Sequence, residues 1–246
     1  MVILVYLKSF NVIKQQNHTP ADFCIISFPC HLIYLVMELN MTNLLYINAS
    51  PRGDLSAANQ AALIFTDALA DSIQVNRLDL FEAKLPEVTL EMTAAKMKFA
   101  MGLDLNEEEA RQWTAITNLV RQFVEADGYL FTIPMWNFSI PYKLKQYIDL
   151  ITHPGLTFIS DENGPRGLAS GRATLIYSRG GDYSPKDGKP DPFDFQSPYM
   201  NAWARLVGLD PVSEVPVQKT MAGPDALNET LGAQKSQLTV LAKKMR

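Results

Sequence analysis

Cysteine is almost missing from this chain. Of 246 residues only Cys24 and Cys30 carry a thiol, and both precede Met41. The remainder therefore has neither a disulfide framework nor a thiol nucleophile. That fits a reducing compartment, so a cytoplasmic location is the expectation. Histidine is also scarce: His18, His31 and His153 form no ligand cluster, and no Gly-x-Ser-x-Gly elbow occurs. Zinc hydrolysis and Ser-His-Asp hydrolysis are thereby unsupported. The charge balance of 22 basic against 26 acidic residues is mildly negative and shows no clustered Lys/Arg stripe, so no nucleic-acid partner is expected. A long apolar run is lacking too. The stretch from Phe23 to Met37 is broken by Pro29 and His31 and falls short of the roughly 20 residues that a membrane span needs. Nor does a small-x-small cleavage site follow it. The expectation is that residues 1–40 are an upstream extension outside the fold and that Met41 opens the functional part. A membrane anchor is the alternative.

What is present is a regular alternation of strands and helices. Asn43–Ser50, "NLLYINAS", is a short apolar run ending in a turn and reads as a buried strand. Ser56–Ala70 reads as a helix, with Ser56 as N-cap and Ala61, Ile64, Phe65, Ala68 and Leu69 as its apolar stripe. "SIQVNRLDL" alternates as a second strand, and a helical insertion is expected around Met92–Met101. Glu107–Asp127 is a helix whose acidic start suits the positive end of its dipole. Gly128–Pro134, apolar almost throughout, is a third strand covered on both faces. The helix beyond it places Ile140, Leu144, Ile148 and Ile151 on one side. Arg172–Ser178 and Val212–Val217 are the fourth and fifth strands, and Pro224–Lys244 is a closing helix. There is no internal repeat and no low-complexity linker. The pattern predicts one α/β domain over residues 41–246, a doubly wound five-stranded parallel sheet with helices on both faces.

In such a sheet ligands bind beyond the carboxyl ends of the strands. Three loops meet there: "SPRGDLSAAN", "PMWNFSIP" and "SRGGDYS". The first joins a strand to a helix with hydroxyls at Ser50 and Ser56. Its free N–H groups suit a terminal phosphate, and a plain helix cap is the competing reading. No P-loop lysine follows, and "GDYSPKDGKP" has the wrong glycine spacing and a proline after Lys189. The third loop carries Gly180 and Gly181, which let main-chain N–H groups approach a ligand or simply make a turn. In the second loop, Met135, Trp136 and Phe138 either lie against a flat ligand or fold down as core. Pro134 and Pro141 stiffen that loop.

At these residues the chain resembles the FMN-dependent NADH-azoreductase and NAD(P)H:quinone oxidoreductase family, which has a flavodoxin-like fold. The resemblance covers Met41–Arg246. It rests on "SPRGDLSAAN", "PMWNFSIPYKLKQYIDL", "GLTFISDENGPRGL" and "SRGGDYS", the second block being the most specific. It implies that Ser50, Ser56, Ala57 and Ala58 hold the FMN phosphate. It also implies that Met135, Trp136, Asn137 and Phe138 border the flavin ring, and that Ser178, Arg179, Gly180 and Gly181 meet its polar edge. The family often has a serine where this chain has Ala58, which removes a hydroxyl and leaves a backbone N–H. NADH as donor, a quinone or aromatic azo compound as acceptor, two-electron ping-pong exchange and a homodimer are further implications.

With flavin carrying the chemistry, no catalytic side chain is assigned. His153 is weighed as a proton donor against a helix-end cap. The long segments His153–Arg172 and Asp182–Pro198 are expected to wall the substrate pocket. Phe158, Tyr183, Phe193 and Phe195 are candidates to stack on an acceptor or to pack across a dimer. The alternative function is a flavodoxin-type electron carrier with no NADH oxidation of its own.

Overall fold

Along each strand successive side chains point to opposite faces, and in this protein both faces are covered. The computed structural model describes residues 42–245, so the expected extension lies outside the described residues. In chain order the strands are β1 (Asn43–Asn48), β2 (Gln74–Asp79), β3 (Gly128–Pro134), β4 (Phe158–Asp161), β5 (Gly164–Gly167), β6 (Arg172–Ser178) and β7 (Val212–Val217). The helices are α1 (Ala57–Thr66), α2 (Leu90–Ala100), α3 (Glu107–Val124), α4 (Tyr142–Ile151), α5 (Gln196–Val207) and α6 (Pro224–Lys243). Leu45, Ile47, Tyr129, Phe131, Ile133, Leu175 and Tyr177 face a core completed by Trp113, Ile116, Phe123, Leu144, Ile148 and Trp203. Leu44, Tyr46, Leu130, Ile176, Val215 and Val217 face the other, closed by Ala61, Phe65, Leu238 and Ala242. Each such large apolar side chain contributes about 1.5–3 kcal/mol on burial.

The main sheet has the order β2-β1-β3-β6-β7, and every neighbouring pair in it is parallel. The chain steps from β1 outward to edge strand β2, then crosses back over β1 to β3. Between β1 and β3 the direction of winding therefore reverses, and a crevice opens at their carboxyl ends. There Asn48 pairs with Thr132 and Pro134 with Ser178 in the strand register, so the loops after β1, β3 and β6 emerge side by side.

A buried carboxamide locks this edge. The Asn48 Oδ1 accepts from the Thr132 hydroxyl at 2.8 Å and from the Ser50 N–H at 3.1 Å. Its amide donates to the Ser50 carbonyl at 3.2 Å and to the Asp79 carboxylate. One side chain thus joins β1 to β2, to β3 and to the first residue of the loop that follows. The Tyr46 hydroxyl continues the chain of contacts, lying 3.4 Å from both Thr132 Oγ1 and Asn59 Oδ1. Asn59 in turn donates to the Gly53 carbonyl at 3.0 Å.

Two elements differ from the sequence-based expectation. The link between β6 and β7 contains α5, hidden behind a run rich in Pro, Asp and Gly. Its first turn is started by the Asp194 carboxylate, which accepts from the N–H groups of Gln196 and Ser197. The long segment after His153 contains an antiparallel hairpin, β4–β5, where the sequence pattern reads as loop. It docks at the far end of α5, where Ala169 N–H donates to the Val207 carbonyl at 3.0 Å. Gly167 and Gly208 cross so closely that a Cβ on Gly167 would sit 2.0 Å from the Gly208 nitrogen.

Replacing Asn48 by leucine, close in volume, strands the Thr132 hydroxyl, the Ser50 backbone groups and Asp79. It should lower unfolding stability by about 2–4 kcal/mol in urea titration. A loss below about 1 kcal/mol would show that water replaces these bonds freely.

Candidate functional site

The first loop presents donors. Ser56 caps α1, its hydroxyl oxygen accepting from the Asn59 N–H at 3.4 Å, and the Ser50 hydroxyl accepts from the Arg52 N–H at 3.4 Å. A hydroxyl that accepts still has its own proton to give, so capping and ligand binding are compatible here. The N–H groups of Ala57 and Ala58, in the first turn of α1, have no acceptor among the described residues. Both residues are buried and belong to the core cluster of this face, and an alanine side chain has no polar atom, so the N–H groups are the donors they can offer a ligand. Together with the helix dipole they make an anion cradle at the head of α1.

The second loop is tighter than expected. Trp136 and Ser139 exchange both backbone hydrogen bonds at 3.0 Å, and the two residues between them have positive φ, 48° for Asn137 and 70° for Phe138. That is a type I′ turn. Asn tolerates it; Phe does so at a cost of about 1–2 kcal/mol. The side chains divide between two flanks. Trp136, half-buried, packs on Phe81 at 5.6 Å and Tyr142 at 6.3 Å. Phe138 stays 44 % exposed and stands beside Phe193 at 5.1 Å and Tyr183 at 6.4 Å. On the Trp136 flank a cleft of about 820 Å³ is lined by Val88, Trp136, Asn137, Tyr142, Gln146 and Tyr199, among others.

The third loop joins the second directly, since Met135 N–H donates to the Ser178 carbonyl at 2.8 Å. The N–H groups of Gly180, Gly181 and Asp182 have no acceptor among the described residues. A Cβ on Gly180 would come within 2.8 Å of the Met221 sulfur, but that side chain is 86 % exposed and can swing aside. Arg179 departs from the expected role. Its guanidinium points inward, 3.0 Å from the Asp194 carboxylate, and its N–H and carbonyl are taken by Val217 and Thr220. It therefore offers no polar group to a ligand at the sheet edge. Asp182, at the loop tip, is held down to about 2 by hydrogen bonds from the Ser184 hydroxyl and N–H and by the Lys219 ammonium.

Two further expectations are corrected. His153 is fully buried at the far end of α4, about 15 Å of helix from the aromatic turn. Its ring packs edge-on to Trp113 at 4.9 Å and Phe99 at 5.6 Å, with Nδ1 2.7 Å from the Pro154 carbonyl. Burial lowers its pKa. It packs as a core residue, and Thr152 rather than His153 is the C-cap of α4. Phe158 lies in the β4–β5 hairpin at that same distal end, whereas Tyr183 and Phe193 do reach the site. Sequence reading missed Asn48, Asn59, Phe81, Tyr142 and Gln196. A polar residue closing an apolar strand was the available signal for Asn48; the others declare themselves only through tertiary contacts.

An α/β sheet with phosphate-type donors at the head of α1 and aromatics at the β1/β3 switch point defines a flavodoxin-like protein. A sequence-family profile described as the flavodoxin-like fold matches residues 42–241. The FMN-dependent NADH:quinone oxidoreductase of Desulfotalea psychrophila is 43% identical over 210 residues, covering 83% of this chain and 98% of that protein. The FMN-dependent NADH:quinone oxidoreductase 3 of Pseudomonas fluorescens is 38% identical over 213 residues, with coverage of 83% and 98%. Among solved structures, an azoreductase from Bacillus anthracis str. Sterne superposes with a TM-score of 0.73 at 28% identity, over 83% of this chain and 100% of that one. The chain belongs to the family of FMN-dependent NADH:quinone oxidoreductases and azoreductases.

Two predictions follow from this geometry. Exchanging Phe138 for glycine relieves the positive φ while giving up a half-exposed side chain, so unfolding stability should stay within about 1 kcal/mol of wild type. A loss above about 2 kcal/mol would instead mark Phe138 as part of the core. For Asp194, burial pushes the carboxyl up, but hydrogen bonds from the Ser197 hydroxyl and N–H, the Arg179 charge and the Gln196 N–H outweigh it and leave the group below its ordinary value. A depressed folded-state pKa stabilises fully above the unfolded value and is lost as pH falls through the folded one. Urea midpoints should therefore drop below about pH 4, and by less in an Asp194→Asn variant. Equal acid slopes in the two proteins would assign the effect to other carboxylates.

Proposed function

We propose that the protein is an FMN-dependent oxidoreductase that uses NADH to reduce quinones and aromatic azo compounds. The observation that carries this reading is the meeting of two sets of unpaired N–H donors, at Ala57–Ala58 and at Gly180–Gly181, with a rigid aromatic turn between them. A phosphate suits the first set, the polar edge of a flat heterocycle suits the second, and its face suits the turn. FMN has these parts in this order, and when bound it supplies the two-electron chemistry, accepting hydride from NADH and passing it to the acceptor. The relatives' names, which specify FMN and NADH:quinone oxidoreduction, and an azoreductase from Bacillus anthracis solved in complex with FMN support the same assignment.

The residues' tasks follow from where they lie. Ser50, Ser56 and the N–H groups of Ala57 and Ala58 hold the phosphate. Met135, Trp136, Asn137 and Phe138 border the ring, and Ser178, Gly180 and Gly181 meet its polar edge through backbone groups. The cleft beside Trp136 excludes water from one side and admits donor and acceptor by turns, a ping-pong order. The protein acts as a homodimer in the cytoplasm. Leu90 and Met97 of α2 and Met101 just beyond it, all exposed, support an apolar subunit contact, and no helix among the described residues is long and apolar enough to cross a membrane.

The test is spectroscopic. The purified chain, mixed with FMN and desalted, should stay yellow, bleach on anaerobic NADH, and regain colour on adding a quinone. Retained colour indifferent to NADH would make it an electron carrier instead. A colourless protein would refute the site.

A further inference from the structure

Arg179 stands among residues that would touch flavin, yet its side chain turns away from them into the fold. Its Nη2 lies 3.0 Å from Asp194 Oδ2, with the two side chains 5% and 10% exposed. Its Nε donates to Gln196 Oε1 at 3.0 Å, and the guanidinium lies 5.0 Å over the ring of Tyr177. The partners reach further. The Gln196 amide donates to the Ile133 carbonyl at 3.1 Å, on the strand that leads into the aromatic turn. The Phe195 N–H donates to the Phe138 carbonyl at 3.1 Å, inside the turn itself. Asp194 also accepts from the Ser197 hydroxyl at 2.5 Å, which fixes the head of α5. A single guanidinium therefore couples the end of β6, the end of β3, the strained turn and the segment bearing Tyr183 and Phe193.

We propose that Arg179 is a positioning residue: with Asp194 and Gln196 it forms a buried latch that fixes the distance between the Trp136–Ser139 turn and the Gly180–Gly181 loop, and so sets flavin affinity and the shape of the acceptor wall. This rests on the flavin site proposed above. Arginine suits the task because its planar fork can serve a carboxylate, an amide oxygen and an aromatic face together, which a lysine ammonium cannot do. The pair is shielded from water, so salt screens it little. Phe138 is held at positive φ from outside by the Phe195 bond, and slackening the latch frees that turn to relax.

The test compares full-length wild type with Arg179→Met and Arg179→Lys. In Arg179→Met the FMN dissociation constant, read by flavin fluorescence quenching, should rise about tenfold, equivalent to ~1.4 kcal/mol. Tryptic cleavage after Lys186 should speed up, and the quinone KM should rise more than the NADH KM. Arg179→Lys should recover part of each. The latch is refuted if melting temperature falls while FMN affinity and quinone KM stay within about twofold of wild type, an energy difference of less than ~0.5 kcal/mol. Should Arg179→Met not fold, Gln196→Leu decides by the same criteria, since it spares the ion pair and cuts the tie to Ile133. Wild type that binds no FMN refutes the function proposed above; wild type that binds it with Arg179→Met unchanged refutes the latch alone.

Discussion

The carboxamide of Asn48 is the constraint on which the site depends. It closes β1 and uses both amide atoms to hold three neighbours: Asp79 on β2, Thr132 on β3, and both backbone groups of Ser50. The bonds to Thr132 and Ser50 are buried and that to Asp79 is partly so, and leaving a buried one unmade would cost a desolvated polar group. Their satisfaction therefore fixes the register of the strands on either side of the switch point, and with it the direction in which the first loop leaves the sheet. Tyr46 and Asn59 carry the same constraint out to Gly53, so the donor cradle at the head of α1 is held from beneath by side chains that a ligand never needs to touch.

Across the switch point the site relies on strain held in place by packing. A phenylalanine at a φ of 70° would relax in an isolated peptide. Here Trp136 is pinned on one side by Phe81 and Tyr142, Phe138 faces Phe193 and Tyr183 on the other, and Phe195 hydrogen-bonds the turn's own carbonyl. Trp136 is half-buried, whereas Phe138 is presented outward. The geometry over-determines the turn, as a strained conformation requires in order to persist.

Much of this was legible in the sequence. Strands β3, β6 and β7 were read to the residue; β3 and most of β6 are apolar runs covered on both faces, whereas β7 is a mixed edge strand, half of its residues apolar valines. The three candidate loops were picked out because ligands of such a sheet bind beyond the carboxyl ends of its strands. Helix α5 was not found: its start, "FDFQSPYM", has no periodic apolar stripe before Met200, and its cap comes from Asp194, a residue that reads as loop. The β4–β5 hairpin escaped notice because its strands are only four residues each and depend on the Gly167–Gly208 crossing, a contact invisible to local pattern. Arg179 was read from its place in the third loop, which says nothing about where its side chain goes. Motif position gives the backbone's address, while side-chain direction is decided by a carboxylate 15 residues away in sequence, in a segment whose helix was itself unread.

The inward turn of Arg179 shows how labour is divided at this sheet edge. Backbone N–H groups, two serine hydroxyls and aromatic faces line the site, none of which changes charge near neutral pH. Two charged groups of the third loop are paired within the protein: Arg179 with Asp194 and Asp182 with Lys219. The histidine that composition offered as a proton donor is enclosed by Trp113 and Phe99, at the opposite end of α4. A protein whose cofactor supplies the reactive atoms needs position rather than acidity from its side chains. Its ionisable residues are accordingly spent on holding the frame. The buried ion pair behind the third loop and the buried amide beneath the first do the same work from opposite sides of the switch point, and the strained turn between them is where their constraints meet.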